Sequence, residues 1–222
     1  QMCIRDRVVV THESFGYTNL PLGLKNYKIV QLSDIHIGPS IDLDDFDEIL
    51  KLALLQKPNR VVITGDLIDK LAWLPQVCER LTTFAKQIPD GVDFILGNHE
   101  YHHDVNKVLD ALKRNTPMNI LVNSNIQIMG GKQPVYIAGV AYDNDRKKDN
   151  REAMINKALS GIPDYAFVIL LAHHPEFFEE SIERKIPLTL SGHTHGGQIV
   201  FMGMPLVPTG TPYTKGRYVE AV

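Results

Sequence analysis

Short apolar runs alternate with amphipathic segments along most of this chain, and this alternation limits the folds that it can adopt. Five apolar runs have the length of buried strands, namely residues 27–33, 60–64, 92–96, 167–171 and 188–190. The spacing of apolar residues instead predicts helices over residues 43–56, 71–88, 104–114 and 150–160. Strands that are apolar on both sides and are separated by such helices indicate a sheet with helices on both faces.

The middle of the chain adds further β-like pieces. Residues 120–139 hold several short ones separated by turns, and residues 198–202 read as another short strand. We therefore predict an α/β fold with mixed β-sheets sandwiched by helices, either as one mixed sheet or as two stacked sheets in the layer order α/β/β/α. We expect a catalytic domain over residues 27–222, preceded by an N-terminal segment, residues 1–26, that is in part an artefact.

Length and charge restrict the possible partners. The chain has 222 residues, a formal net charge of −3 and 44% hydrophobic residues, which suits one globular domain. This near-neutral charge provides no general attraction for nucleic acid or anionic lipid. Any attraction for a phosphate group must therefore come from a local site or from bound cations. No apolar run approaches the ~20 residues that span a bilayer. A cytoplasmic or a membrane-associated location remains compatible with this sequence.

Polar side chains follow each of the five apolar runs at its carboxyl end. In open α/β sheets the ligand crevice lies at those ends, and burying polar groups there without partners is costly. If the strands run side by side, these residues meet in one crevice. They are Asp34, His36, Asp66, Asp69, Asn98, His99, His173, His193 and His195.

The residue types predict metal binding. Carboxylate, imidazole and amide donors form a mixed oxygen and nitrogen set that suits Mn, Fe or Zn better than Mg or Ca. There are too many donors for one four-coordinate ion, whereas two ions about 3.5–4 Å apart could share a bridging carboxylate. Taken alone, Asp34 or Asp66 could equally be a helix N-cap, and each histidine could be structural. The recurrence after five strands favours the metal site.

Five ordered motifs carry a resemblance to a known family. The chain resembles the calcineurin-like metallophosphoesterase superfamily, whose motifs D-x-H, G-D-x-x-D, G-N-H-[DE], a lone H and G-H-x-H occur here in that order. The extended forms SDIHIG, GNHEY and GHTHGGQ are similar to a bacterial branch of membrane-associated or exported phosphoesterases. That branch includes enzymes similar to UDP-diacylglucosamine pyrophosphohydrolases. The motifs are Asp34-Ile-His36, Gly65-Asp-Leu-Ile-Asp69, Gly97-Asn-His-Glu100, His173 and Gly192-His-Thr-His195.

The resemblance implies a role for each motif residue. His99 would not bind metal but would contact the phosphate or leaving-group oxygen, as a general acid or charge stabiliser. Asp69 and Glu100 would orient histidines or backbone groups from outside the ligand set. His174 is the alternative to His173 as a ligand. The resemblance assigns one ion to Asp34, His36 and His195, the other to Asn98, His173 and His193, and the bridging position to Asp66.

These roles imply a two-metal-dependent phosphoesterase. It would hydrolyse a phosphate monoester, diester or pyrophosphate by attack of a metal-bridging hydroxide. The substrate would be a phosphate ester, with a lipid or a nucleotide as candidate linked groups, and peripheral membrane association would be compatible with it. A non-catalytic scaffold of the same fold is an alternative, although it would be expected to lack ligands. A nuclease is another, but the chain lacks the basic surface that long nucleic acids require.

A further segment near the C-terminus has no assigned role. Residues 209–218 resemble a Tyr-x-x-Gly-x-Tyr segment of the same branch, here Tyr213-Thr-Lys-Gly-Arg-Tyr218. Relatives usually continue with one or more strands, so the resemblance implies that the catalytic domain is truncated at its C-terminus.

Overall fold

The computed structural model describes residues 8–141, 147–195 and 211–219, together with the backbone of residues 200–201 and 204–205. In these described parts of the chain, ten strands form two four-stranded sheets and one small hairpin. In sheet 1 all neighbouring strands are parallel, in the order β1 (Ile29–Leu32), β2 (Arg60–Ile63), β3 (Val92–Phe94) and β4 (Asn119–Ile120).

Sheet 2 is mixed. Its order is β5 (Ser124–Met129), β6 (Val135–Val140), β7 (Phe167–Ala172) and β8 (Leu188–Ser191). Only the β5–β6 pair is antiparallel, and β6, β7 and β8 run parallel to one another. The hairpin pairs β9 (Val200–Phe201) with β10 (Met204–Pro205), so part of the strand predicted over residues 198–202 is present.

Six α-helices connect these strands in the described parts of the chain. They are α1 (Leu43–Leu55), α2 (Leu74–Ala85), α3 (Asn98–His102), α4 (Val105–Asn115), α5 (Lys148–Ala158) and α6 (Phe177–Glu183). The predicted helix over residues 71–88 is shorter than expected. A single 3-10 turn, Leu71–Trp73, precedes α2, and Pro75 lies in the first turn of α2, where its missing N–H has no helical partner to lose.

Three apolar cores establish the layer order. On β2, Val61 and Ile63 pack towards α1, α2 and α4, whereas Val62 packs between the two sheets. The core between the sheets also contains Ile137 of β6 and Ile169 of β7. A third core lies between the outer face of sheet 2 and the helices α5 and α6. The α/β/β/α sandwich predicted from the sequence is therefore confirmed.

The two sheets meet at the carboxyl ends of their edge strands. The Gln31 side-chain amide of β1 donates to the Ser191 carbonyl of β8 and to Thr64 Oγ1, each over 2.9 Å. The predicted site residues therefore do not follow five strands of one sheet. Three of the strands belong to sheet 1 and two to sheet 2, and their ends lie side by side.

No described helix combines the length and the apolar character needed to cross a membrane.

Candidate metal centre

The loops that carry the predicted ligands have unusual backbone conformations. Nine non-glycine residues of the described chain have positive φ, and five of them are predicted metal ligands. Such conformations cost about 1–3 kcal/mol each and persist where the surrounding structure enforces them, often at functional sites. The five ligands are Asp34 (φ 53°), His36 (52°), Asp66 (52°), His193 (72°) and His195 (49°).

Four predicted ligands form a largely buried group, which we call the inner cluster: Asp66, Asn98, His173 and His193. Asn98 Oδ1 lies 3.0 Å from His173 Nε2 and 2.9 Å from His193 Nδ1. His173 Nε2 also lies 3.2 Å from Asp66 Oδ2. The His173 side chain is 0% exposed and that of Asp66 is 2% exposed, so these two donors are shielded from solvent, whereas His193 is partly exposed.

Three other predicted ligands form a more open group, which we call the outer cluster: Asp34, His36 and His195. His195 Nε2 lies 3.1 Å from His36 Nε2 and 3.4 Å from Asp34 Oδ1. The side chains of Asp34, His36 and His195 are 9%, 17% and 28% exposed. Two acidic and imidazole donor sets, one in each cluster, are close enough to hold an ion.

Asp66 faces both clusters. Its Oδ2 atom is 3.2 Å from His173 Nε2 on the inner side and 3.7 Å from His36 Nε2 on the outer side. Burial raises the pKa of Asp66, but the hydrogen bond and charge of His173 outweigh it and hold the net pKa well below its usual range. Burial lowers the pKa of His173, but Asp66, the charge of Asp34 and the Thr64 carbonyl together raise it by more, so the net pKa of His173 lies above its usual value.

The inner histidine has a defined orientation. His173 Nδ1 donates to the Thr64 carbonyl over 2.7 Å, which leaves Nε2 to face Asp66 and Asn98. In a neutral imidazole this Nε2 carries a lone pair. Three acceptor atoms then converge on one point, and a cation placed there would satisfy all of them.

His99 lies beside the clusters and is oriented by Asp69. His99 Nδ1 is 2.7 Å from Asp69 Oδ1, and the same oxygen is 3.2 Å from His36 Nδ1. The backbone N–H of His99 donates to Asp66 Oδ1 over 2.8 Å. Donation of Nδ1–H to Asp69 leaves His99 Nε2 as the atom that can exchange a proton.

Glu100 is fully buried and joins two of the motif loops. Its carboxylate accepts hydrogen bonds from the backbone N–H groups of Asp66 (3.0 Å), Leu67 (2.7 Å) and Gly97 (2.7 Å). Burial raises the pKa of Glu100. The three backbone donors lower it, but by less, so the net pKa lies above its usual value. The structure therefore places Glu100 at the backbone of the site, where it holds the loop that carries Asp66.

The close approach of these loops depends on glycine. A Cβ atom on Gly65 would lie 2.6 Å from the Gly97 backbone nitrogen, and Gly65 has φ +94°. A Cβ atom on Gly97 would meet the backbone nitrogen of Asp66 at 2.5 Å and would also clash with its carboxylate. Larger residues at these positions would displace Asp66 from the point where the clusters meet.

The remaining histidines fall outside both clusters. His174 is buried, and its ring lies 3.9 Å, centroid to centroid, from that of His193. Its Nδ1 is 3.6 Å from Glu176 Oε2, and His174 belongs to none of the candidate metal-donor groups among the described residues. His102 and His103 are exposed at the end of α3, with His103 Nε2 3.9 Å from Asp69 Oδ1.

Sequence reasoning missed several groups that shape the site. The Thr64 carbonyl that orients His173 could not be identified, because every residue has a carbonyl. Ser33, whose hydroxyl bonds to Asp34, carried only the weak signal of a polar residue at a strand end. The short helix α3 was also missed, although Gly97 followed three residues later by Glu100 is typical of a helix start.

Comparisons with known proteins identify the family of this chain. The model of the family described as calcineurin-like phosphoesterase matches residues 27–197. An uncharacterised metallophosphoesterase of Campylobacter jejuni is 36% identical over 200 residues, which cover 87% of this chain and 50% of that protein. A Caenorhabditis elegans protein described as a metallophosphoesterase is 32% identical over 203 residues, covering 88% of this chain and 42% of that protein.

A solved structure shows the same fold. The NAD nucleotidase of Haemophilus influenzae aligns with a TM-score of 0.51 over 76% of this chain and 38% of its own, at 19% identity. The chain thus spans half or less of each of these three proteins. The family model implies divalent metal ions, and the clustered His and Asp side chains fit such ions. Since this model covers most of its length, the chain belongs to the calcineurin-like phosphoesterase family.

Proposed function

We propose that this chain is a dinuclear phosphoesterase that hydrolyses a phosphate monoester, diester or pyrophosphate. The observation that carries the proposal is the position of Asp66, whose single Oδ2 atom faces a histidine of each cluster at 3.2 and 3.7 Å. A carboxylate between two donor sets is the arrangement that a two-ion site requires.

The donor atoms support two divalent ions of the Mn, Fe or Zn type. Each cluster combines imidazole nitrogen with carboxylate or amide oxygen, a set that suits these metals better than Mg or Ca. When bound, such a pair would supply a hydroxide nucleophile near neutral pH and would neutralise charge on the phosphate oxygens. Asp34, His36 and His195 would hold the outer ion, Asn98, His173 and His193 the inner ion, and Asp66 both.

The protein groups around the ions orient the reaction. Asp69 accepts from Nδ1 of His99 over 2.7 Å, so His99 Nε2 is directed to carry the proton that the leaving-group oxygen needs. Asp69 also contacts Nδ1 of His36. The position of His99, the proposed general acid, is therefore linked to the position of a ligand of the outer cluster. Glu100 keeps Asp66 in place through three backbone hydrogen bonds.

The proposal extends to substrate and location. The chain carries a net charge of −3, so the phosphate group is recognised by the site and not by a basic surface. We therefore propose a small phosphate ester, with lipid-linked and nucleotide-linked esters as the first classes to compare. If the substrate is a lipid-linked ester, we expect the protein to lie at a membrane surface. If it is a nucleotide-linked ester, we expect a cytoplasmic location.

Metal reconstitution tests the proposal. The purified chain would be stripped with chelator, and Mn, Fe(II), Zn, Mg or Ca would be added back singly. Hydrolysis of p-nitrophenyl phosphate and bis-p-nitrophenyl phosphate would then separate monoester from diester preference. We expect turnover to return with Mn, Fe(II) or Zn and two ions to be bound per chain. A folded chain that binds no metal stoichiometrically would refute the proposal.

The two alternatives give different results in the same experiment. A non-catalytic scaffold would hydrolyse neither ester with any of the added metals, whether or not it bound ions. A nuclease would cleave single-stranded or duplex oligonucleotides faster than bis-p-nitrophenyl phosphate. The complete donor set, with His99 beside it, favours the phosphoesterase over the scaffold.

A further inference from the structure

The C-terminal segment, residues 211–219, contacts the loop between the last two predicted ligands. Thr194 Oγ1 donates a hydrogen bond of 2.6 Å to the Thr214 carbonyl. Thr194 lies between His193, which belongs to the inner cluster, and His195, which belongs to the outer cluster. One hydrogen bond therefore holds the backbone that positions a donor of each cluster.

The segment has its own internal structure. The Tyr218 hydroxyl accepts from the backbone N–H groups of Thr214 (3.0 Å) and Lys215 (3.4 Å). The Tyr218 ring packs edge-on against that of Tyr213, with 5.1 Å between centroids. Gly216 has φ +90°, a conformation that glycine adopts without strain. The two tyrosines of the Tyr-x-x-Gly-x-Tyr segment thus close a turn that presents the Thr214 carbonyl.

The turn is anchored to the body of the protein at two further places. The Tyr213 ring packs edge-on against Phe178 of α6 at 5.3 Å. Arg217 donates to the Ser14 carbonyl over 3.2 Å, and its guanidinium lies 4.8 Å above the Phe15 ring. These anchors do not involve the metal clusters, so the turn can act as a fixed support for the loop.

The loop needs such a support. Both His193 and His195 have positive φ, and β8, which precedes them, is only half-buried. Strained residues keep their conformation only where neighbouring groups enforce it. From these contacts we propose that Thr194 and Tyr218 are positioning residues, which hold His193 and His195 in the conformation that binds metal. The inference rests on the proposed function, because it takes these two histidines as ligands.

Amide hydrogen exchange of the metal-free chain tests the support directly. Replacing Thr194→Val removes the hydroxyl donor at nearly constant volume, whereas Thr194→Ser retains it. We expect exchange in a peptide covering residues 192–195 to be about tenfold faster in the valine variant, the value of one ordinary hydrogen bond. The serine variant should behave like the wild-type chain.

A matched control is available elsewhere in the chain. Thr116 makes the same kind of bond, from its hydroxyl to the Leu112 carbonyl over 2.7 Å at the end of α4. Thr116→Val should leave exchange of residues 192–195 unchanged. Equal exchange in the wild-type chain and in Thr194→Val would overturn the proposal.

Cobalt binding provides the second measurement. In a Co²⁺ titration followed by visible absorption, Thr194→Val should weaken binding about 10- to 100-fold, the usual effect of removing a group that orients a ligand. Tyr218→Phe should change it in the same direction by less, because the aromatic ring remains. Unchanged Co²⁺ affinity in Thr194→Val would contradict the positioning role. A wild-type chain that binds no Co²⁺ would refute the proposed function instead, and hydrogen exchange would still decide whether the segment supports the loop.

Discussion

The inner and outer clusters use similar donor atoms but differ in burial. In the inner cluster, His173 and Asp66 are almost inaccessible to solvent, and His173 is oriented by the Thr64 carbonyl. In the outer cluster, His36 and His195 are 17% and 28% exposed. The most buried donors follow fully buried strands, since Asp66 follows β2 and His173 follows β7, whereas Asp34 and His36 follow the half-buried β1. Similar ligand chemistry can therefore give one rigid and one more accessible ion position.

The largest effect should come from the residue that the clusters share. Asp66→Ala should remove both ions and lower turnover by about a thousandfold or more, since bound ions contribute several kcal/mol to the transition state. Asp34→Ala should remove the outer ion and retain the inner one. Ion content by mass spectrometry, with activity measured in parallel, checks this. If Asp34→Ala also lost both ions, the two clusters would be one cooperative site and the comparison would fail.

A residue outside both clusters should affect turnover without affecting ions. His99→Gln should lower kcat by about 10²–10⁴-fold, the usual contribution of a general acid, and leave two ions bound. His102→Gln serves as the control, because His102 is exposed and lies one turn further along α3. Equal kcat in His99→Gln and the wild-type chain would assign proton transfer to another group.

Adding a Cβ atom beside the inner cluster should lower the free energy of unfolding more than adding one beside the outer cluster. A Cβ atom on Gly97 clashes with the buried Asp66, and one on Gly192 clashes with Ser33 and Asp34 in a half-buried loop. We expect Gly97→Ala to lower the free energy of unfolding by about 1–3 kcal/mol, as overpacking does. Gly192→Ala should cost less stability and mainly weaken the outer ion. Urea unfolding of both variants measures the difference, and a larger loss for Gly192→Ala would reverse the assignment of rigidity.

The smallest effect concerns pH and involves the inner pair. The pKa of His173 is raised by Asp66, so its contribution to stability is complete below about 6.5 and is lost as the pH rises through the higher folded value. The pKa of Asp66 is lowered, so its contribution is present above about 4 and is lost at lower pH. The metal-free chain should therefore lose stability as the pH rises above about 6.5.

Bound metal should reverse this trend, because the ion displaces protons from its ligands and binds more tightly at higher pH. Melting temperatures across pH 5–9, with and without Mn²⁺, would show the reversal. Asp66→Asn is the control, since its metal-free profile should be flatter than that of the wild-type chain. If the metal-free wild-type chain and Asp66→Asn had pH profiles of the same shape, the interaction between Asp66 and His173 would not be the cause of the pH dependence.

Much of the architecture follows from local sequence patterns. The strands β1, β2, β3, β7 and β8 and the helices α1, α4 and α5 lie within about two residues of their predicted positions. The strands β4, β5 and β6 fall in or next to residues 120–139, where the sequence predicted short β-like pieces without individual bounds. The helices α3 and α6 have five and seven residues, too few for periodicity to reveal, and helices this short depend on tertiary contacts. Pro75 explains why α2 begins later than its apolar pattern suggested.

The sequence by itself determined the family and the candidate donors, since five motifs place carboxylate, amide and imidazole groups directly after apolar strands. The structure brings these donors together, and their roles as ligands stay a prediction. The resemblance already predicted Asp66 as the bridging residue, whereas only the tertiary structure decided that most of the inner cluster is buried. The tertiary structure also joins residues 211–219 to the last motif loop, through the hydrogen bond from Thr194 to the Thr214 carbonyl. The physical reason is that motif spacing reflects the chemistry of local side chains, whereas burial, orientation and support depend on contacts between segments far apart in the chain.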